Sequence, residues 1–193
     1  MIALLVDVPW HPPGVDAAAW RAALAEDLVD LLATLAEVEP AIATTAADRH
    51  IADAVAWPGM PVYEVAVPTV NAALAAAAAD GFDQAAVLAA DAPDVPGLTI
   101  GKLLRPLTTR PVAVAPGGPA GGLLGVAARL PAPEWLPEHD LDTGSAAALR
   151  RHAPNPGDVA SAPEGRRLRG PADLGTLNPA GEGWDVTRAL LGG

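Results

Sequence analysis

Short, mostly apolar runs constrain this chain most: Met1–Val6, Ala41–Thr45, Gln84–Ala90 and Pro111–Ala115. Continuous runs of strand length suit strands covered on both faces, the condition of a parallel sheet. Helical patterns separate them. Asp16 is placed to cap a helix in which Trp20, Leu24, Leu28, Leu31, Leu32 and Leu35 share one face. Asp48–Ala56 and Val70–Ala79 read as further helices, the second closed by Asp80-Gly81, and Pro96–Leu104 reads as another. Pro61–Val67 reads as an edge strand or strand end, because proline cannot donate to a ladder. Leu123–Ala128 reads as a strand. The alternation predicts a single α/β domain over 1–193, a mostly parallel sheet flanked by helices on both faces. Residues 1–130 form its core half. Residues 131–193 are Pro-rich at Pro131–Pro137 and Pro154–Pro163, carry helices near Ser145–His152 and Asp185–Leu191, and complete the sheet.

The charge balance narrows function. Net charge is −11 and the only lysine is Lys102. An acidic chain without a basic face is not expected to bind nucleic acid or anionic membrane. No run approaches a membrane span, and Met1–Val6 lacks the basic flank of a leader, so the expected location is cytoplasmic. With no cysteine, disulfides, thiolate catalysis and Cys-ligated zinc are excluded. The histidines His11, His50, His139 and His152 lack ligand spacing, and no Gly-x-Ser-x-Gly elbow is present.

Ligands of parallel α/β sheets bind beyond the carboxyl ends of strands. The strand Gln84–Ala90 runs directly into Asp91-Ala92-Pro93-Asp94. A carboxylate there can hold a divalent metal, which can neutralise a nucleotide's phosphates. Asp91 or Asp94 can equally cap the helix near Pro96. The Pro116–Gly122 loop permits close backbone approach to a ligand, or makes an ordinary hairpin turn; without Gly-Lys-Ser/Thr it is no P-loop. Asn71 opens a helix, as a cap or with its amide presented to a base. Arg166, Arg167 and Arg169 can grip phosphates or form a solvated loop. Trp10, Trp57 and Trp135 can form an interface or pack into the core.

In order, "TVNAALAAAAADGFDQAAVLAADAPDVP", "PVAVAPGGPAGGLLGVA" and "LGTLNPAGEGWDV" resemble the nucleotidyltransferase branch of the GT-A fold. The pattern is similar to 2-phospho-lactate guanylyltransferases, molybdenum-cofactor guanylyltransferases and a related uncharacterised glycosyltransferase-like family. The resemblance covers most of the chain and is most specific over Thr69–Pro96. It implies a nucleotide-diphospho-sugar transferase-like fold whose nucleotide-binding half is 1–130. It implies a catalytic, magnesium-holding Asp91, and a nucleotide or sugar nucleotide contacted by Asn71, Asp91 and Pro93. Gly117, Gly118, Gly121 and Gly122 would lie at the nucleotide's acceptor side.

The chain departs from that pattern at several places. The first loop, Asp7–Asp16, carries no Lys or Arg, where the family binds triphosphate. Ala120 stands where the related family has Asp. The late Asp/Asn-x-Asp/Asn-Thr-Pro motif survives as Thr176-Leu177-Asn178-Pro179, or, in another register, as Arg169-Gly170-Pro171 with Arg169 in place of a metal carboxylate. Two readings follow: a divergent nucleotidyl- or glycosyltransferase-like protein, or an inactive pseudoenzyme acting as a partner or scaffold subunit, with a homo-oligomer or a protein partner.

Overall fold

In a computed structural model, residues 1–177, 181 and 183–192 are described. The strands are β1 (Ile2–Leu4), β2 (Ala41–Thr44), β3 (Val62–Glu64), β4 (Gln84–Ala89), β5 (Val112–Pro116), β6 (Leu123–Arg129) and β7 (Val159–Ser161). The helices are α1 (Ala17–Thr34), α2 (Arg49–Val55), α3 (Val70–Ala79), α4 (Gly97–Leu104), α5 (Ala146–His152), α6 (Pro171–Leu174) and α7 (Asp185–Leu190). One sheet runs in the order β3-β2-β1-β4-β6-β5-β7. All pairings are parallel except those of β6 with β4 and with β5.

Side chains alternate across the sheet, as the strand repeat demands. Ala3, Leu5, Ala86 and Leu88 pack with Leu28, Leu32, Ile100 and Leu103 on the α1/α4 face. Ile2, Leu4, Val87 and Ala89 pack with Val70, Leu74, Leu141 and Leu149 on the α3/α5 face. Both faces are therefore apolar, which explains why the strands read as continuous runs.

A third cluster lies beyond the strand ends. Trp20 and Leu24 of α1 meet Leu168, Leu177 and Trp184. This contact fastens the chain after β7, a strap from Ala162 to Gly170, across the carboxyl end of β4. The strap's backbone continues the attachment: Ala162 N donates to Val114 O, Gly165 N to Pro116 O and Leu168 N to Asp91 O, all at 2.8–2.9 Å.

Local signals behave as expected at α1, where Asp16 accepts from Ala19 N at 2.9 Å. At α3 the cap is Thr69, which accepts from Ala72 N at 3.3 Å. At α4 the cap position is Pro96 with no side-chain bond, so neither Asp91 nor Asp94 caps it. Pro116–Gly122 is the turn of the β5–β6 hairpin. Strand β7 falls inside the Pro-rich stretch and is not announced by the sequence.

Candidate functional site

Asp91 leaves β4 into the sheet interior and is 0% exposed. Its two oxygens face one guanidinium. Arg167 Nε donates to Oδ1 at 2.7 Å and Nη2 to Oδ2 at 2.8 Å, a bidentate pair. Nη2 also donates to Asp142 Oδ1 at 2.6 Å, and Nη1 to the carbonyls of Leu141 at 2.9 Å and Leu123 at 3.3 Å. Arg169 reaches the same Asp142 oxygen. Arg166, on the outer side, donates to Asp94 Oδ2 at 2.9 Å. Three carboxylates thus meet three guanidinia, and the cluster is neutral.

Burial pushes the Asp91 carboxyl up, while Arg167 pulls it down; the bidentate geometry is that of an ionised carboxylate accepting at both oxygens. Burial also opposes the Arg167 charge, but the bonds and charges of Asp91 and Asp142 outweigh it and raise its pKa. Asp142 is held in place by a turn in which Asp140 Oδ1 accepts from Asp142 N at 2.8 Å and Thr143 N at 2.7 Å.

The other sequence-predicted residues take structural positions around this cluster. Pro93 is buried beneath it. Gly122, at φ 69°, has room for no side chain: a Cβ there would lie 2.5 Å from Leu141 O and 2.8 Å from Asp142 O. Gly117 and Gly118 would likewise meet Gly121 O at 2.5 Å and Gly165 O at 2.8 Å, while Gly121 opens to free space. The glycines therefore admit the protein's own backbone. Gly122→Ala should cost about 2 kcal/mol or more, from the left-handed conformation and the clash together. Urea denaturation reads this loss.

Asn71 is a staple. Its Nδ2 donates to Leu136 O at 3.3 Å, and its Oδ1 accepts from His139 N at 3.1 Å. Asn71→Ala should cost about 1–3 kcal/mol, the range for stranding such backbone groups. His139 lies in the same turn, its Nδ1 donating to Pro137 O at 2.8 Å while Nε2 is buried without a partner among the described residues. Burial lowers its pKa below 6.5, against smaller upward pulls from Pro137 and Asp140. The unfolded chain therefore takes up a proton first, and stability present above pH 6.5 is lost as pH falls from there towards the folded value. Denaturation at pH 7.5 and 5.5 should show this loss, and His139→Gln should shrink it.

A cavity of about 370 Å³ adjoins the cluster, lined by Asp94, Thr99, Gly118, Pro119, Glu164 and Arg166 among others. A larger one, about 530 Å³, shares Val95 and Pro96 with it, lies between α1, α4 and α7, and carries Asp27, Asp30 and Asp185. Arg49 is paired with Asp53, and Arg129 with the carbonyls of Leu107 and Thr108, both away from the cluster. Of the tryptophans, Trp10 packs edge-on against Trp20 and Trp135 is half-buried against the core, while Trp57 is 48% exposed. Asn178 and Pro179 of the late motif lie outside the described residues.

Solved structures of similar shape exist. A protein provisionally assigned as a nucleotide-diphospho-sugar transferase, from Desulfovibrio desulfuricans G20, matches 98% of this chain and 95% of its own at TM-score 0.66 and 18% identity. The chain has the GT-A fold. Within that fold, glucosyl-3-phosphoglycerate synthase from Mycobacterium tuberculosis, in complex with Mn2+, UDP and glucosyl-3-phosphoglycerate, matches at TM-score 0.51 and 18% identity over 94% of this chain and 84% of its own. A 4-diphosphocytidyl-2C-methyl-D-erythritol synthase matches at TM-score 0.51 and 14% identity, with 98% of each chain covered. No family model and no curated protein matches.

A divalent metal does not fit the described residues around Asp91. Metal ligation needs carboxylate oxygens free to coordinate. Both Asp91 oxygens are committed to Arg167, where a magnesium ligand is expected from the sequence. Among the described residues, no group of three or more His, Cys, Asp or Glu side chains is placed to hold a metal ion. The strap arginines Arg166, Arg167 and Arg169 complete the cluster with Asp94, Asp91 and Asp142. Their signal in the sequence is the Arg169-Gly170-Pro171 register, with Pro171 opening α6 and Asp173 bonding the Arg169 and Gly170 amides.

Proposed function

We propose that this chain is a GT-A-fold pseudoenzyme, a domain that keeps the fold without metal-dependent nucleotidyl or glycosyl transfer and serves as a partner or scaffold subunit. The observation that carries this is the Asp91 carboxylate, fully buried and bound at both oxygens by Arg167. Transfer to or from a nucleotide depends on positive charge at the phosphates. The neutral cluster offers no surplus, and the Asp7–Asp16 loop has no Lys or Arg. Release of UDP from UDP-glucose, and of pyrophosphate from each nucleoside triphosphate, tests the reading with Mn2+ or Mg2+ present. The expected result is no release above background. Turnover that EDTA abolishes would overturn it. Native mass measurement tests the partner role: a strict monomer that binds nucleotide tightly contradicts it.

A second reading, retained nucleotide or sugar-nucleotide binding, is favoured by Arg21. Its guanidinium bonds Val6 O at 3.2 Å beyond β1 and pairs with Asp48 at 2.8 Å, with 21% of the side chain exposed. It is a partly exposed guanidinium beyond the end of β1, held by both oxygens of Asp48. Calorimetry across a nucleotide panel checks this; no heat at millimolar concentration sinks it.

A further inference from the structure

The guanidinium of Arg167 uses every donor it has. Its five N–H groups meet five oxygens: both of Asp91, one of Asp142, and the carbonyls of Leu123 and Leu141. These oxygens come from separate parts of the fold, the end of β4, the start of β6 and the 141–142 turn. Asp140 and the Leu123 N–H to Leu141 O bond, 2.7 Å, fix the turn without help from Arg167. The side chain of Arg167 is 0% exposed, so no solvent completes its shell.

We propose that these oxygens form a pre-built cation cage, selective for guanidinium, in which Arg167 is the tethered occupant. The inference deepens the pseudoenzyme reading and shares its premise that no metal occupies this place. Selectivity follows from shape. The oxygens lie 2.6–3.3 Å from the nitrogens of a flat fork, so they stand further still from its centre. A calcium or magnesium ion at that centre requires oxygens at roughly 2.0–2.6 Å. An ammonium ion has donors in the wrong directions and too few of them. With the arginine side chain removed, two carboxylates and two carbonyls face a space the size of a guanidinium ion.

Arg167→Ala tests this by thermal unfolding. The variant should melt lower than the wild type. Guanidinium chloride at low millimolar concentration should raise its melting temperature saturably, and should leave the wild type unchanged. Ammonium chloride, MgCl2 and MnCl2 at matched ionic strength should not raise it. If the variant does not fold alone, refolding yield with and without guanidinium becomes the readout, and recovery with guanidinium only is the expected result. Rescue by a divalent cation in place of guanidinium, or no rescue by any cation, would overturn the cage. The two readings fail separately: EDTA-sensitive turnover by the wild type removes the pseudoenzyme reading, and absent guanidinium rescue removes the cage alone.

Discussion

Asp91→Ala should destabilise the protein by roughly 3–5 kcal/mol, the range for breaking a buried ion pair and stranding one charge. The reason is Arg167. Its side chain has no exposure, and two of its five donors lose their acceptor. Asp142 is a third exposed and already shared with Arg169, so it compensates only in part. An exposed metal ligand behaves in the opposite way, since removing it relieves charge repulsion and costs little stability. The double variant Asp91→Leu with Arg167→Leu sharpens the test. It removes both charges together, and its loss should be about 2 kcal/mol or more smaller than the sum of the losses of Asp91→Leu and Arg167→Leu made singly. Urea denaturation of the four proteins in the cycle measures this coupling.

Trp20→Ala should cost a further roughly 3–5 kcal/mol, as expected for emptying an aromatic site in a packed core. Trp20 is fully buried between α1 and the residues that follow β7, against Leu168 and Trp184. Leu168 stands between Arg167 and Arg169, so this cavity opens directly behind the cluster. The loss should therefore appear both in global stability and in faster amide exchange at Leu168, whose N–H donates to Asp91 O. Trp20→Phe should cost far less. It keeps most of the ring, and it removes an indole N–H that is buried without a partner among the described residues.

Much of the fold is legible in the sequence because its signals are local. The apolar run at Gln84–Ala90, the Asp16 cap and the Asp80-Gly81 stop each act within a few residues. Strand β7 is not legible. It has three residues, lies in a Pro-rich stretch, and becomes a strand only because β5 offers it a free edge. The candidate site is legible in place but not in chemistry. Topology directs attention to Asp91 at the end of β4. Its partner is 76 residues further along the chain, and no local pattern pairs them. In an acidic chain three nearby arginines read as a solvated loop. Only the strap's path over the strand ends turns Arg167 inward, with Leu168 facing Trp20. The bonds of Asn71 are hidden from the sequence for a similar reason. Thr69 takes the cap, which frees the Asn71 amide for the backbone of Leu136 and His139, more than sixty residues away.

On the pseudoenzyme reading Asp91 is committed to Arg167 and is not expected to hold a metal. Titrating the wild-type protein with Mn2+, in the presence of UDP-glucose, and following free Mn2+ by electron paramagnetic resonance tests it most directly. No stoichiometric uptake is expected below millimolar Mn2+, with the same weak residual binding in Asp91→Asn measured below that variant's melting temperature. Tight uptake of one Mn2+ per chain that Asp91→Asn abolishes would contradict it.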